Sequence, residues 1–236
     1  MKNGQRDRHE REAFNRDAKD ALNEQFARIG KAFASPRRVE IVDLLAQGER
    51  SVDALAVRAE ITIGLASAHL QVLRRAGIVV TRREGTRVIY RLAGDDVYGL
   101  LAAVRKFAAG HLAETERAAR AYMGDADPLE LVSREELLQR VEIGDAVVLD
   151  LRPAAEYRAG HIAGALSLPL EELEARLAEL PAAIEVVAYC RGPFCALAPQ
   201  GVALLRRHGL RARRLEDGFP EWRIAGLPVA VGYSPI

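Results

Sequence analysis

The hydrophobic period of this chain changes twice, and the changes bound what it can fold into. From Leu22 to Gly77 the apolar residues recur at helical spacing, and from Ile78 to Leu92 they fall in β-rich runs. Leu22, Phe26, Ile29 and Phe33 form one apolar stripe on a helix. Ser35-Pro36 ends it and starts a second helix with Ile41, Val42, Leu44 and Leu45 inward and Gly48 as its stop. Ser51 is an N-cap for a helix over 52–59, and Thr62 for one over 63–76 that ends at Gly77. Residues 78–81 and 87–92 then read as strands around a Glu84-Gly85-Thr86 turn. Gly94-Asp95-Asp96 opens one long helix, about 96–122, with Val97, Leu100, Leu101, Val104 and Phe107 on one face. The expected order is helices, a helix-turn-helix, a two-stranded wing and a long helix.

Beyond residue 128 short apolar strands alternate with helices. Ser133-Arg134-Glu135-Glu136 is a capping box, Ala146–Leu149 and Glu185–Tyr189 are apolar strands, and 171–180 and 196–208 are helical. That alternation implies an α/β domain with a mainly parallel sheet. Charge divides the chain at the same place. Residues 1–124 hold 22 Lys+Arg against 16 Asp+Glu, and 125–236 hold 12 against 17, so a net +6 faces a net −5. The sign changes at Gly124-Asp125-Ala126-Asp127-Pro128, which reads as a linker. Two domains are expected, 1–124 and 125–236, and the basic one is the nucleic-acid candidate.

Several classes are excluded at this level. Both cysteines fall late, at 190 and 195, so a disulfide-stapled secreted scaffold is not expected. The charged start has no apolar core of a secretory signal, and no uninterrupted apolar stretch approaches the ~18 residues of a membrane span. A cytoplasmic protein in a reducing compartment, with no membrane partner, is the expectation.

On the fourth helix Ala66, Leu70 and Leu73 face the core, which turns Gly64, Ser67, Ala68, Gln71, Arg74 and Arg75 outward. Small and hydroxyl residues at its start, Thr62 included, can approach base edges, and the two arginines at its end suit phosphates. Residues 74–91 contain six Arg and one acid, Glu84, and Arg82, Arg83 and Arg87 flank the wing turn. The DNA-contacting set is therefore expected to be Thr62, Ser67, Gln71, Arg74, Arg75, Arg83 and Arg87, on double-stranded operator DNA. His69, on the helix flank, is expected to be structural. The run Ser67-Ala-His69-Leu70-Gln-Val-Leu73-Arg-Arg-Ala-Gly77, followed by the basic hairpin ending Val88-Ile-Tyr90-Arg91-Leu92, resembles the ArsR-type winged-helix repressors over about residues 20–120. The resemblance implies a homodimer built on the first and last helices, one recognition helix per protomer in the major groove, and repression relieved by an inducer. Metal-sensing members often carry Cys on the helix matching 51–59, which here has none. Asp96, Tyr98, His111 and Glu114 fit the family's other metal site poorly. No metal and no cofactor are expected.

The third constraint is the run Tyr189-Cys190-Arg191-Gly192-Pro193-Phe194-Cys195-Ala196, read as a strand end, a six-residue loop and a helix start. A thiol under loop amides at a helix N-terminus favours thiolate, and Arg191 adds charge nearby. Cys190 is thus the nucleophile candidate, with a depressed pKa expected, and Cys195 is either a resolving thiol or a packing one. Leu149-Asp150-Leu151-Arg152, Glu156-Tyr157, Gly160-His161-Ile162, Pro169, Cys190, Gly218-Phe219-Pro-Glu-Trp222 and Gly226-Leu227-Pro228 stand in the order of rhodanese-type sulfurtransferases, which the chain resembles over nearly all of 128–231. This resemblance implies a persulfide on Cys190, with Arg191 and Cys195 in the site, and a sulfane-sulfur donor such as thiosulfate or polysulfide. Asp150, Arg152, Glu156 and His161 are expected to pin the surrounding loops. Cys195 occupies the last loop position, where the family often has a basic residue. Three readings stay open: a sulfur-responsive repressor, a sulfurtransferase with an attached DNA-binding domain, and a repressor responding to a thiol-binding metalloid.

Overall fold

A computed structural model describes residues 3–124, 131–181 and 183–232, with side chains from residue 15 onward. The expected linker, apart from Gly124, lies outside the described residues. The chain forms two compact units, Met1–Val42 with Arg50–Ala93, and Asp43–Glu49 with Gly94–Ile236.

In the first unit α1 (Asn3–Phe33) leads into α2 (Pro36–Ala46), whose last residues belong to the second unit. Strand β1 (Arg50–Ser51), α3 (Val52–Arg58), α4 (Ile63–Arg75), β2 (Val79–Glu84) and β3 (Arg87–Leu92) follow. The caps are where the sequence puts them. Ser51 Oγ accepts the Ala54 amide and Thr62 Oγ1 the Leu65 amide, both at 3.3 Å. Ala66, Leu70 and Leu73 of α4 are buried with Leu55, Ala56 and Ile78. The helix stops at Gly77, whose φ of +74° a residue with a Cβ rarely adopts. The sheet is antiparallel in the order β1-β3-β2, and Glu84 pairs with Arg87 across a two-residue turn. Gly85, at φ +59°, holds the turn's first position.

The second unit opens with α5 (Asp95–His111) and α6 (Ala113–Met123). The single helix expected over 96–122 is corrected here. Leu112 takes extended angles (φ −117°, ψ 104°), just after Gly110, a residue that weakens a helix interior. Then come β4 (Leu131–Val132), α7 (Arg134–Glu142), β5 (Ala146–Asp150), α8 (Ala154–Ala159), β6 (His161–Ile162), β7 (Leu166–Ser167) and α9 (Leu170–Leu173). A 3₁₀ turn over Glu174–Glu179 replaces most of the helix expected at 171–180. The chain continues through β8 (Glu185–Tyr189), α10 (Leu197–Arg207), β9 (Ala212–Leu215), α11 (Phe219–Ile224) and β10 (Val229–Ala230). Five strands form a sheet in the order β4-β9-β8-β5-β7 with every pair parallel, and β10 pairs antiparallel with β6.

The apolar runs of β5 and β8 are buried on both faces, as a parallel sheet requires. Leu149, Val186 and Ala188 pack with α10 residues on one side, while Val148, Val187 and Tyr189 pack with Tyr157, Phe219 and Trp222 on the other. The successive strand ends bring Asp150, Cys190 and the turn at Gly218 to the carboxyl edge of the sheet, where open parallel sheets bind ligands. Among the described residues no helix is long and apolar enough to cross a membrane.

Candidate functional site

Cys190 follows β8 directly, and the loop it opens ends at α10. Both cysteines are free thiols and both are buried. The Gly192 and Ala198 amides face the Cys190 sulfur, and the Arg191 and Leu197 amides face that of Cys195. The Cys190 Sγ also lies 3.6 Å from the Cys195 carbonyl oxygen and 3.9 Å from that of Gly192. The depressed Cys190 pKa expected from sequence is corrected. Burial pushes the Cys190 thiol well above its ordinary value, and its contact with Cys195 adds to this. Cys195 is lowered to about 7, first by the hydrogen bond from Cys190, then by the Leu197 and Arg191 amides against the cost of burial. Cys195 is thus the more readily ionised thiol of the pair, with Cys190 donating to it.

Arg191 adds positive charge near the sulfurs, as expected, and that charge helps to lower Cys195. Its guanidinium pairs bidentately with the buried Glu156 carboxylate, Nε to Oε2 at 2.9 Å and Nη2 to Oε1 at 2.8 Å. Its charge is therefore only the last of the influences that lower Cys195. Its backbone does more, through the amide at Cys195.

The residues expected to pin the loops do so. Arg152, fully buried, donates from Nε and Nη2 to the Asp150 carboxylate at 3.0 and 2.6 Å and from Nη2 to the Gly160 carbonyl at 2.7 Å. Its cation lies over the Phe219 ring, 4.4 Å from the centroid. Tyr189 Oη donates to Asp150 and accepts the Ile162 amide. His161 stacks on Tyr157 with ring centroids 3.6 Å apart. Gly218 packs so tightly on the cysteine loop that a Cβ there would fall within 3.0 Å of the Gly192 nitrogen and the Arg191 carbonyl carbon. The Phe219 amide donates to the Cys190 carbonyl at 3.1 Å.

Sequence reasoning missed residues that hold this loop from the other end of the unit. Gln47, just past α2, is buried. Its Oε1 accepts from Arg152 Nη1 at 3.1 Å and its Nε2 donates to the Arg191 carbonyl at 3.3 Å. Tyr98, fully buried on α5, donates to Glu221 Oε1 at 2.7 Å, and Arg105 bridges Tyr98 Oη and Asp43 at 3.3 and 2.9 Å. A signal existed for both. Gln47 follows an apolar helix face without a break, and Tyr98 lies between Val97 and Leu101 on the buried face of α5.

The residues expected to face DNA all lie in the first unit. Thr62 caps α4, Ser67 is half-buried, and Gln71, Arg74 and Arg75 are exposed and together line an open depression. Arg83 and Arg87 are exposed on the two wing strands. Among the described residues none of these four arginines is held by a carboxylate, whereas Arg82 pairs with Glu84 at 3.4 Å. His69, half-buried beside them, has its pKa lowered by burial and then by Arg38 and Arg37.

Comparison with known proteins gives each half a relative. Residues 35–81 match the description "Bacterial regulatory protein, arsR family", and residues 133–225 match "Rhodanese-like domain". The chain is 50% identical over 216 residues to HTH-type transcriptional regulator Rv0324 of Mycobacterium tuberculosis, covering 92% of this chain and 95% of that one. It is 35% identical over 100 residues to a sulfurtransferase of Allochromatium vinosum, covering 42% of this chain and 92% of that one. Among solved structures it is similar to the homodimeric winged helix-turn-helix DNA-binding domain of Mb0332 from Mycobacterium bovis, at 52% identity and a TM-score of 0.39, over 42% of this chain and 91% of that one.

Proposed function

The chain belongs to the ArsR-family HTH-type transcriptional regulators, here with a rhodanese-like domain, and from that premise we propose that it is a cytoplasmic repressor whose operator affinity follows the sulfur state of Cys190. Residues 1–124 act as the DNA-binding and dimerisation domain and 125–236 as the rhodanese-like one. The homodimer forms on the apolar faces of α1 and α5, where Phe26 and Phe107 stand 64% and 63% exposed. In each protomer Thr62, Ser67 and Gln71 approach base edges, and Arg74, Arg75, Arg83 and Arg87 hold phosphates.

The observation that carries the sulfur reading is the pair of thiols under one amide-lined loop at the carboxyl edge of the sheet. With a polysulfide, Cys190 attacks the outer sulfane sulfur as its proton passes to the Cys195 thiolate. The donor's S–S bond breaks, and the shortened polysulfide leaves with the bonding pair, which makes a Cys190 persulfide. The donor supplies sulfur already at the sulfane level and the shortened polysulfide is the leaving group, so no further oxidant is needed.

The similarity to a sulfurtransferase supports a second reading, in which the loop turns over and the persulfide sulfur passes to an external thiol. Mass spectrometry after polysulfide treatment tests the shared chemistry. The full chain and Cys195→Ser should each gain one sulfur at residue 190, and Cys190→Ser should gain none. Sulfur on Cys195 alone would refute the assignment, and repeated turnover with an acceptor thiol would favour the enzymatic reading.

A further inference from the structure

The peptide between Arg191 and Gly192 is held at both ends. Its N–H, that of Gly192, faces the Cys190 sulfur. Its carbonyl, that of Arg191, accepts from Gln47 Nε2 at 3.3 Å. A donor on the carbonyl fixes the direction of the N–H and polarises the peptide, so it strengthens what that N–H gives the sulfur. One face of the same peptide rests on Gly218, with no room for a Cβ between them. On the Gly192 side, the space a Cβ would take is bounded by Tyr98 Oη at 3.1 Å and Glu221 Oε1 at 3.3 Å. Those two oxygens are hydrogen-bonded to each other, and Glu221 Oε2 accepts the Gly218 amide at 3.1 Å. The peptide therefore cannot shift unless the Gln47 bond, the Tyr98–Glu221 bond or both give way.

Gln47 and Tyr98 lie far from Cys190 in sequence. Gln47 follows the last turn of α2, a helix that begins in the first compact unit, and Tyr98 sits in the first turn of α5, which the chain enters directly from wing strand β3. Both ends are anchored again nearby. Arg223 reaches the Ala46 carbonyl at 3.4 Å and Asp95 at 2.9 Å, and Arg105 joins Asp43 to Tyr98.

We propose that Gln47 and Tyr98 are positioning residues of the cysteine loop, and that through them the ends of α2 and α5 read the sulfur state of Cys190. This rests on the sulfur-responsive function proposed above. Cys190 is only 3% exposed, so an added sulfur atom has no open solvent to enter. The loop must make room, and the Arg191–Gly192 peptide lies against that sulfur. Its movement withdraws the carbonyl from Gln47 or displaces the Tyr98–Glu221 pair. Each response passes along continuous chain into α2 and β3, which frame the helix-turn-helix.

Gln47→Glu and Tyr98→Phe test this. The first keeps an acceptor for Arg152 and removes the donor to the Arg191 carbonyl. The second keeps the ring and removes one hydroxyl. Each variant of the full chain is saturated with polysulfide, its loading is verified by mass spectrometry, its fold is checked by circular dichroism, and operator is titrated with reduced and loaded protein at one salt concentration. A wild-type ratio in the ~5- to 150-fold range of ordinary coupling is expected. In each variant it should fall toward one, although the sulfur is on Cys190. A merely structural role would weaken both titrations alike and leave the ratio standing. Variants with the wild-type ratio would overturn the positioning role and leave the sulfur-responsive function intact. A wild-type ratio of one, with full loading, would overturn that function and this inference with it.

Discussion

The arginines of α4 and the arginine after β5 are the same residue in opposite settings. Arg74 and Arg75 are exposed, and among the described residues no carboxylate holds either. Arg152 is sealed from solvent and bonded to Asp150, Gly160 and Gln47. The first pair costs the fold nothing and keeps its hydrogen-bonding capacity for a phosphate. The other is committed to the protein and works only by fixing what surrounds the thiols. In the proposed function, DNA contact is thus displayed on an exposed surface, whereas sulfur chemistry depends on a loop fixed from several sides. Mutations should separate the two regions by kind of effect as well as by size.

The largest expected effect is on stability. Arg152→Ala leaves the buried Asp150 carboxylate without its cationic partner, and loss of one partner of such a pair typically costs ~3–5 kcal/mol. For a chain of this size that lowers the melting temperature by on the order of 10 °C. Arg74→Ala, by contrast, should stay within about 0.5 kcal/mol of the parent. Equal melting shifts in the two variants, by calorimetry, would erase the distinction.

Next is the reverse experiment on DNA. Arg74→Ala and Arg87→Ala should each weaken operator binding across sequences and reduce the slope of log affinity against log salt by about one. Glu156→Gln, which unpairs Arg191 far along the chain, should leave that slope as it is. A wild-type affinity independent of salt would remove the phosphate role of these arginines.

The smallest effect is a shift in a titration. Cys195 should alkylate with a midpoint of about 7, because Cys190 donates to it. Cys190→Ala removes the first cause, so the midpoint should rise toward the ordinary 9.0. A folded-state value lowered in this way favours the native chain above the ordinary thiol range, and the gain is lost as pH falls through 7. The raised Cys190 value acts in the opposite sense, so the alkylation profile is the cleaner readout. A midpoint unmoved in Cys190→Ala would mean the loop amides alone set Cys195.

Local pattern made much of this legible. Caps at Ser51, Thr62 and Ser133, the turn at Gly85 and the two-faced burial of β5 and β8 all follow from short-range rules. The loop between Tyr189 and Ala196 announced itself by its two cysteines and its Gly-Pro pair. What escaped depends on partners distant in sequence. Gln47 meets Arg152 across 105 positions, and Tyr98 meets Glu221 across 123. Tyr98 looked like a misfit where a metal ligand would stand, and only its buried carboxylate partner explains it. The order of the thiol pKa values escaped for a related reason. A helix N-terminus and a nearby Arg suggest a thiolate at Cys190, but burial opposes it and Glu156 takes up the Arg191 charge. The break at Leu112 has no Pro and no Ser, Thr, Asp or Asn cap to announce it.

One measurement bears most directly on the claim that a single chain joins the two regions. Labelled operator is titrated with the fully reduced chain and with the same preparation carrying one sulfur on Cys190, at a fixed salt concentration and with loading established by mass spectrometry. The loaded protein should bind ~5- to 150-fold more weakly. Superimposable curves would contradict that claim.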